Sequence, residues 1–172
     1  MKIKKTAQEG VYKISYFKFS DMRGFFTKIY SSKNFKKFNV KQVNISKSIK
    51  KGTFRGLHFQ KGKHAEQKII FCLQGKIIDF IVDLNKKSKT YLKVFKYEID
   101  SKKNNGLLIS NSYAHGFLTL EKNTTVVYLH DREYHKESEG CIRFNDPLLN
   151  IEFPIKISII SDRDLNCPDF KK

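Results

Sequence analysis

The sequence predicts an all-β fold, a sandwich or a barrel. Two observations carry that prediction. Short β-rich runs recur along the chain with turn clusters between them, in a composition rich in aromatics (15 Phe and 8 Tyr in 172 residues). No long helical period separates one run from the next, which is the pattern of strands packed on strands.

The elements follow in order. Val11 to Phe19 alternates and stops at Ser20-Asp21, and Phe25 to Tyr30 is a second run. Ser32 to Phe38 is the best short helix, with Ser31 or Ser32 as its cap. Val40 to Ser48 and Gly52 to Phe59 flank Lys50-Lys51 and read as a hairpin. Lys68 to Leu73 ends at Gln74-Gly75, and Lys76 to Leu84 resumes as a strand. Tyr91 to Ile99, Gly106 to Ile109, Gly116 to Leu120, Thr124 to Leu129 and Gly140 to Phe144 complete the series. No repeat, low-complexity tract or Pro/Gly linker divides them, so residues 1–172 are expected to form one domain. A chain of this length buries roughly 70% of its unfolded surface and needs no disulfide or metal staple.

The formal net charge is +17, mostly lysine, spread along the whole chain and concentrated at turns. That distribution reads as a solvated surface that attracts small anions rather than as a nucleic-acid groove, and no nucleic-acid module motif is present. Cys72, Cys141 and Cys167 are odd in number and lack CxxC spacing, so neither a disulfide framework nor a zinc knuckle is expected. Cys72 lies in an apolar run and reads as core. Met1-Lys2-Ile3-Lys4-Lys5 leads into polar sequence without an apolar leader, and no stretch is long enough to span a bilayer. The expectation is a cytoplasmic chain without membrane insertion.

Strand parity sorts the side chains by face. In Lys76 to Leu84, Asp79 and Asp83 share a face with Ile77 and Ile81, while Ile78, Phe80 and Val82 take the other. Both faces are apolar, so the strand is central, and each carboxyl needs a partner. Backbone, or a nearby Lys or His, suits Asp83; Asp79 is equally suited to orient Lys68 or His115. Lys68 shares parity with Ile70 and Cys72, an unusual place for lysine, and either escapes at the strand end or clamps a substrate oxygen. Tyr128 shares a face with Val126 and His130.

Two segments stand out. Arg55-Gly56-Leu57-His58-Phe59-Gln60, followed by Lys68, offers a base, an anion clamp and an ammonium. Ala114-His115-Gly116-Phe117, followed by Tyr128, adds an imidazole and a phenol. Base, acid and two cations without a nucleophile suit proton movement beside a carbonyl. Together with Phe19-Ser20-Asp21-Met22-Arg23-Gly24-Phe25-Phe26, Gln42-Val43-Asn44, Gly75, Asp79, Asp83, Glu139-Gly140, Asn145-Asp146-Pro147 and Ser161-Asp162-Arg163-Asp164, these segments closely resemble the dTDP-4-dehydrorhamnose 3,5-epimerase family over about Tyr16 to Asp164.

The resemblance implies a cupin-type double-stranded β-helix, or jelly roll, with a few short helices. It implies a cofactor-independent, metal-free epimerase acting at C3 and/or C5 of a nucleotide-linked 4-keto-6-deoxy sugar for surface-polysaccharide synthesis. By resemblance His58 is the general base, Asp164 its carboxylate, Tyr128 the acid on the opposite ring face, and Lys68 and His115 the groups around the 4-keto oxygen. Arg23, Gln42, Asn44, Arg55, Glu139 and Arg163 match positions that bind nucleotide, sugar or diphosphate. Asp79 stands behind them. A homodimer that exchanges N-terminal strands, with Arg23 crossing the interface, is also implied. Tyr134, Phe25 and Phe26 are candidates for base stacking or for interface packing.

One position departs from the family. Lys28 stands where a glutamate commonly contacts thymine, and an ammonium cannot accept from a base imide. The nucleotide is therefore open between dTDP and GDP, and the sugar between hexose and heptose. Two rival readings belong to other classes. A metal-dependent cupin would want a second histidine one residue beyond His58, where the chain has Phe59-Gln60, and His64 falls in a loop. A non-catalytic sugar-nucleotide module would need Arg55 and the aromatics but neither His58 nor Tyr128.

Overall fold

The computed structural model describes residues 1–170. One sheet runs in the spatial order β1 (Lys2–Lys5), β2 (Val11–Ser15), β10 (Asn105–Ile109), β7 (Lys68–Gln74), β12 (Thr124–His130) and β5 (Gln42–Ser48). The other runs β13 (Glu139–Cys141), β6 (Phe54–Gln60), β11 (Tyr113–Thr119), β8 (Lys76–Asp83) and β9 (Val94–Asp100). A separate ribbon pairs β3 (Lys18–Asp21) with β4 (Gly24–Thr27). All of these ladders are antiparallel. From β5 to β13 the chain crosses between the two sheets at nearly every connection, which makes the sandwich a jelly roll.

Three apolar layers explain why the central strands carry no clean alternation. Between the sheets lie Ile70, Cys72, Ile77, Ile81, Leu107, Phe117 and Val126. Burial pushes the Cys72 thiol up to about 12, in keeping with an inert core cysteine. Outside the six-stranded sheet, Phe35 and Phe38 cover Ile14, Ile69, Phe71, Val127 and Leu129. Outside the five-stranded sheet, the segment from Phe144 to Ile160 covers Phe54, Leu57, Phe80, Val82 and Leu118. A strand covered on both faces reads as a continuous apolar run.

The structure corrects four expectations. Ser32 to Phe38 forms turns rather than a helix: the Phe35 and Phe38 amide N–H groups donate to Ser31 and Phe35 carbonyls, and the two rings anchor on the sheet. A seven-residue helix has little stability of its own, so side-chain anchoring decides the backbone. The strands flanking Lys50-Lys51 do not form a hairpin, because β5 and β6 enter different sheets. The run from Val11 to Phe19 breaks between β2 and β3, where Tyr16 turns inward to pack edge-on against Phe71. Cys141 and Cys167 are disulfide-bonded, with Cα atoms 5.7 Å apart. Local spacing carries no signal for a pair brought together by the returning C-terminal segment. Two elements not foreseen are β1 and the short helix α1 (Asp162–Leu165).

Candidate active site

Two glycines place the first wall of the site. Strands β6 and β11 pair with His58 opposite His115, and the register shifts between His115 and Phe117. At that bulge Gly56 and Gly116 meet face to face: a Cβ on Gly116 falls 2.7 Å from the Arg55 carbonyl oxygen and 2.8 Å from the Gly56 Cα. Gly56 itself has φ 135, a conformation closed to other residues. The irregularity re-aims the side chains beside it, and His58 and His115 both open into one cavity of about 370 Å³.

Asp164 reaches His58 from α1. Ser161 caps this turn by accepting from the Asp164 amide N–H at 3.2 Å. Asp164 Oδ1 lies 2.8 Å from His58 Nε2, and its Oδ2 accepts the Gly56 amide N–H at 3.0 Å. Burial opposes ionisation of Asp164, but the His58 contact, the Gly56 N–H and Arg163 outweigh it and hold the carboxyl below its usual range. An ionised Asp164 fixes the proton on Nε2, leaving the His58 Nδ1 lone pair as the basic position.

The second wall comes from the six-stranded sheet. β12 supplies Tyr128, β7 supplies Lys68 at its first residue, and β5 supplies Asn44; all three line the same cavity. Register sets Tyr128 between Asn44 and Ile70, and Lys68 beside His130. Burial and the neighbouring Asp79 carboxyl push the Tyr128 phenol above its ordinary range, so it stays protonated. Burial drives His115 well below the ordinary imidazole range, with the Lys68, His58 and His130 charges adding to it. Burial drives Asp79 well above the ordinary carboxyl range, against the pull of Lys68. Asp79 Oδ1 lies 3.4 Å from His115 Nδ1 without an aligned hydrogen bond. Asp83 is tied down elsewhere, accepting from the Asn85 N–H and the Thr90 hydroxyl.

At the cavity mouth Arg55 is held only by long contacts, 3.4 Å to Ser48 Oγ and 3.5 Å to the Lys47 carbonyl, so its fork is available to an anion. Glu139 pairs with Arg163 and accepts from the Tyr134 hydroxyl at 3.0 Å. Arg23 and Lys28 are not brought to this cavity. Arg23 sits at the turn of the β3–β4 ribbon, paired with Asp21 at 2.6 Å, and Lys28 is exposed just beyond it. Gln42 sits behind Asn44, donating to its side-chain oxygen at 3.0 Å. Asp79 is fully buried behind His115.

Among the lining residues given no role from sequence are Gln60, Glu66 and His130. Parity held a signal for His130, which shares the Tyr128 face. Glu66 precedes its strand, so no periodicity marked it. Among the described residues, no group of three His, Cys, Asp or Glu is arranged to hold a metal ion.

The dTDP-4-dehydrorhamnose 3,5-epimerase family model matches residues 5–172. The chain is 35% identical to the dTDP-4-dehydrorhamnose 3,5-epimerase of Shigella flexneri over 157 residues, covering 88% of this chain and 86% of that protein. It superposes on the Bacillus anthracis enzyme of the same description, solved with TDP and PPi bound, with TM-score 0.92, 36% identity and coverage of 98% and 99%. A 3'-monoepimerase from Streptomyces bikiniensis, solved with dTDP-quinovose, is 28% identical with TM-score 0.89, covering 96% of this chain and 86% of that one.

Proposed function

This chain belongs to the dTDP-4-dehydrorhamnose 3,5-epimerase family, and on that footing we propose that it epimerises a nucleotide-linked 4-keto-6-deoxy sugar at C3, C5 or both. One observation carries the reading: the His58–Asp164 pair and Tyr128 line one cavity from opposite sheets. A ketose bound between those walls presents one ring face to a base and the other to an acid.

The 4-keto group acidifies the hydrogens on C3 and C5. His58 Nδ1 takes one of them, and Asp164 stabilises the imidazolium that forms. The electron pair moves onto the keto oxygen, where the Lys68 ammonium and His115 stabilise the developing charge. Tyr128 protonates the same carbon from the opposite face, and solvent exchange returns both residues to their starting states. The substrate already carries its ketone, so no redox cofactor takes part in these steps. Arg55 and Arg163 suit the diphosphate oxygens.

Incubation with dTDP- and GDP-linked 4-keto-6-deoxy sugars in D₂O, read by NMR, tests this reading. Deuterium at C3 or C5 supports it; a protein that binds the sugar nucleotide without any exchange is a binding module instead. Lys28 favours a second reading on the same chemistry, in which the nucleotide is GDP and the sugar a heptose. Preference for the GDP substrate in that incubation supports it.

We further propose a homodimer. The β3–β4 ribbon exposes Phe19 and Phe26 at 68% each and Met22 completely, and the edge strand β5 exposes Ile45 at 70%. That much apolar surface on one ribbon and one sheet edge suits exchange with a second copy. The exchange carries Arg23 and Lys28 toward the partner's cavity. Among the described residues no helix is long and apolar enough to cross a membrane. We place the chain in the cytoplasm, where activated sugars are available.

A further inference from the structure

Glu66 has no role in the reaction as described above, yet it is the residue that touches Lys68. Its Oε1 lies 3.0 Å from Lys68 Nζ. Its Oε2 lies 3.2 Å from His130 Nδ1 and accepts from Gln60 Nε2 at 2.9 Å. All of this is enclosed: the side chains of Lys68, Glu66 and His130 are 7%, 8% and 10% exposed. The contacts continue in one direction. Asn44 Nδ2 lies 3.3 Å from His130 Nε2, Gln42 Nε2 donates to Asn44 Oδ1 at 3.0 Å, and Gln42 Oε1 accepts the Tyr134 amide N–H at 2.8 Å. With the proton of His130 on Nδ1, each of these contacts pairs a donor with an acceptor, from the mouth of the cavity down to Lys68.

We propose that Glu66 is a positioning residue for the epimerisation: it holds the Lys68 ammonium at the oxygen-stabilising end of the cavity and anchors it, through His130 and Asn44, to the strand that borders the mouth. The proposal rests on the epimerase reading for what Lys68 does, but the Glu66–Lys68 contact stands on its own geometry.

The groups facing Lys68 make a counter-ion necessary. His130 and Tyr128 face it from β12, His115 from β11, His58 from β6 and Asp79 from β8. Burial disfavours the charged form of Asp79, and neither of its oxygens has a hydrogen-bond partner. Burial works against Glu66 too, but the His130 hydrogen bond and the Lys68 charge more than offset it, and Glu66 is held ionised. Glu66 is therefore the anion in contact with Lys68. A buried ammonium stripped of its anion loses the contact that fixes its position and turns to another acceptor. That displacement takes it away from the keto oxygen. The diphosphate contacts at the mouth are untouched, so binding is largely spared.

The test uses the full-length protein with Glu66→Gln, which is nearly isosteric, and Glu66→Asp, which restores the charge. Glu66→Gln is expected to lower kcat by about 10–100-fold with KM within about threefold. Glu66→Asp is expected to recover part of the kcat. Lysine labelled at Cε, with Lys68 assigned through Lys68→Arg, reports the same contact without turnover: its resonance is expected to move in Glu66→Gln and to return toward the wild-type position in Glu66→Asp. Wild-type kcat and an unmoved Lys68 resonance in Glu66→Gln overturn the proposal. If the wild type itself exchanges no substrate hydrogen, the epimerase reading fails, and the Lys68 resonance alone decides whether Glu66 holds the ammonium.

Discussion

In the proposed reaction His58, Asp164 and Tyr128 divide the work by environment rather than by residue type. Asp164 is accepted into the protein as an anion because an imidazole and a backbone N–H meet its two oxygens, whereas burial holds the Asp79 carboxyl, more deeply enclosed and without aligned partners, well above the ordinary range. His58→Asn is expected to lower exchange of the substrate hydrogen by at least about 10²-fold, measured as deuterium uptake. Asp164→Asn keeps the shape and loses the charge. Because the folded-state value of Asp164 is lowered, its contribution to stability is full above the ordinary carboxylate range and is lost as pH falls through the lowered value. The melting temperature of Asp164→Asn should therefore lie below wild type at pH 7 and converge on it as pH falls below the ordinary carboxylate range. A constant difference across that range would remove Asp164 as an anion of the folded state.

At the scale of elements, β6 and β11 are the frame that makes the site. The glycines in Arg55-Gly56-Leu57-His58 and His115-Gly116-Phe117 were visible as motif residues, but their physical reason is tertiary: each occupies the space where the other's Cβ would stand. Gly116→Ala should destabilise the fold by about 1–3 kcal/mol and displace both histidines, seen as a lowered urea midpoint with loss of activity. An unchanged midpoint would mean the strands can separate without cost. The central strands were legible because their apolar runs are long. The Ser32–Phe38 turn and the β5–β6 connection were misread, because anchoring of Phe35 and Phe38 and the crossing from sheet to sheet are decided by packing and leave no local pattern. The Cys141–Cys167 bond ties the β13 residue opposite His58 to the segment just past Asp164. Cys167→Ser should therefore weaken the His58–Asp164 pairing, lowering kcat more than it raises KM, when compared with oxidised wild type. Equal kinetics would confine the bond to stability.

At the scale of the molecule, the surplus of positive charge is met by one concave site. Arg55 and Arg163 stand at its mouth and Lys68 lies within, while most other lysines among the described residues are spread over the surface. Charge alone pointed to anions in general; the enclosed pairing of base and acid narrows that to a small substrate. The β3–β4 ribbon was legible as strand, but its pairing apart from both sheets was not, and its aromatic residues stand exposed on it. Light scattering should give about twice the 20.2 kDa chain mass, and Phe19→Asp with Phe26→Asp should yield a monomer with a raised KM, since Arg23 then no longer reaches a partner's cavity. A monomeric wild type would contradict the exchange.

The facing walls themselves are tested most directly by Tyr128→Phe in D₂O, following deuterium uptake and ring stereochemistry in the same NMR sample. Removal of the hydrogen by His58 should persist while inversion fails at C3, C5 or both, because the proton donor on the far face is gone. Full inversion at the wild-type rate by the phenylalanine variant would contradict the two-wall account.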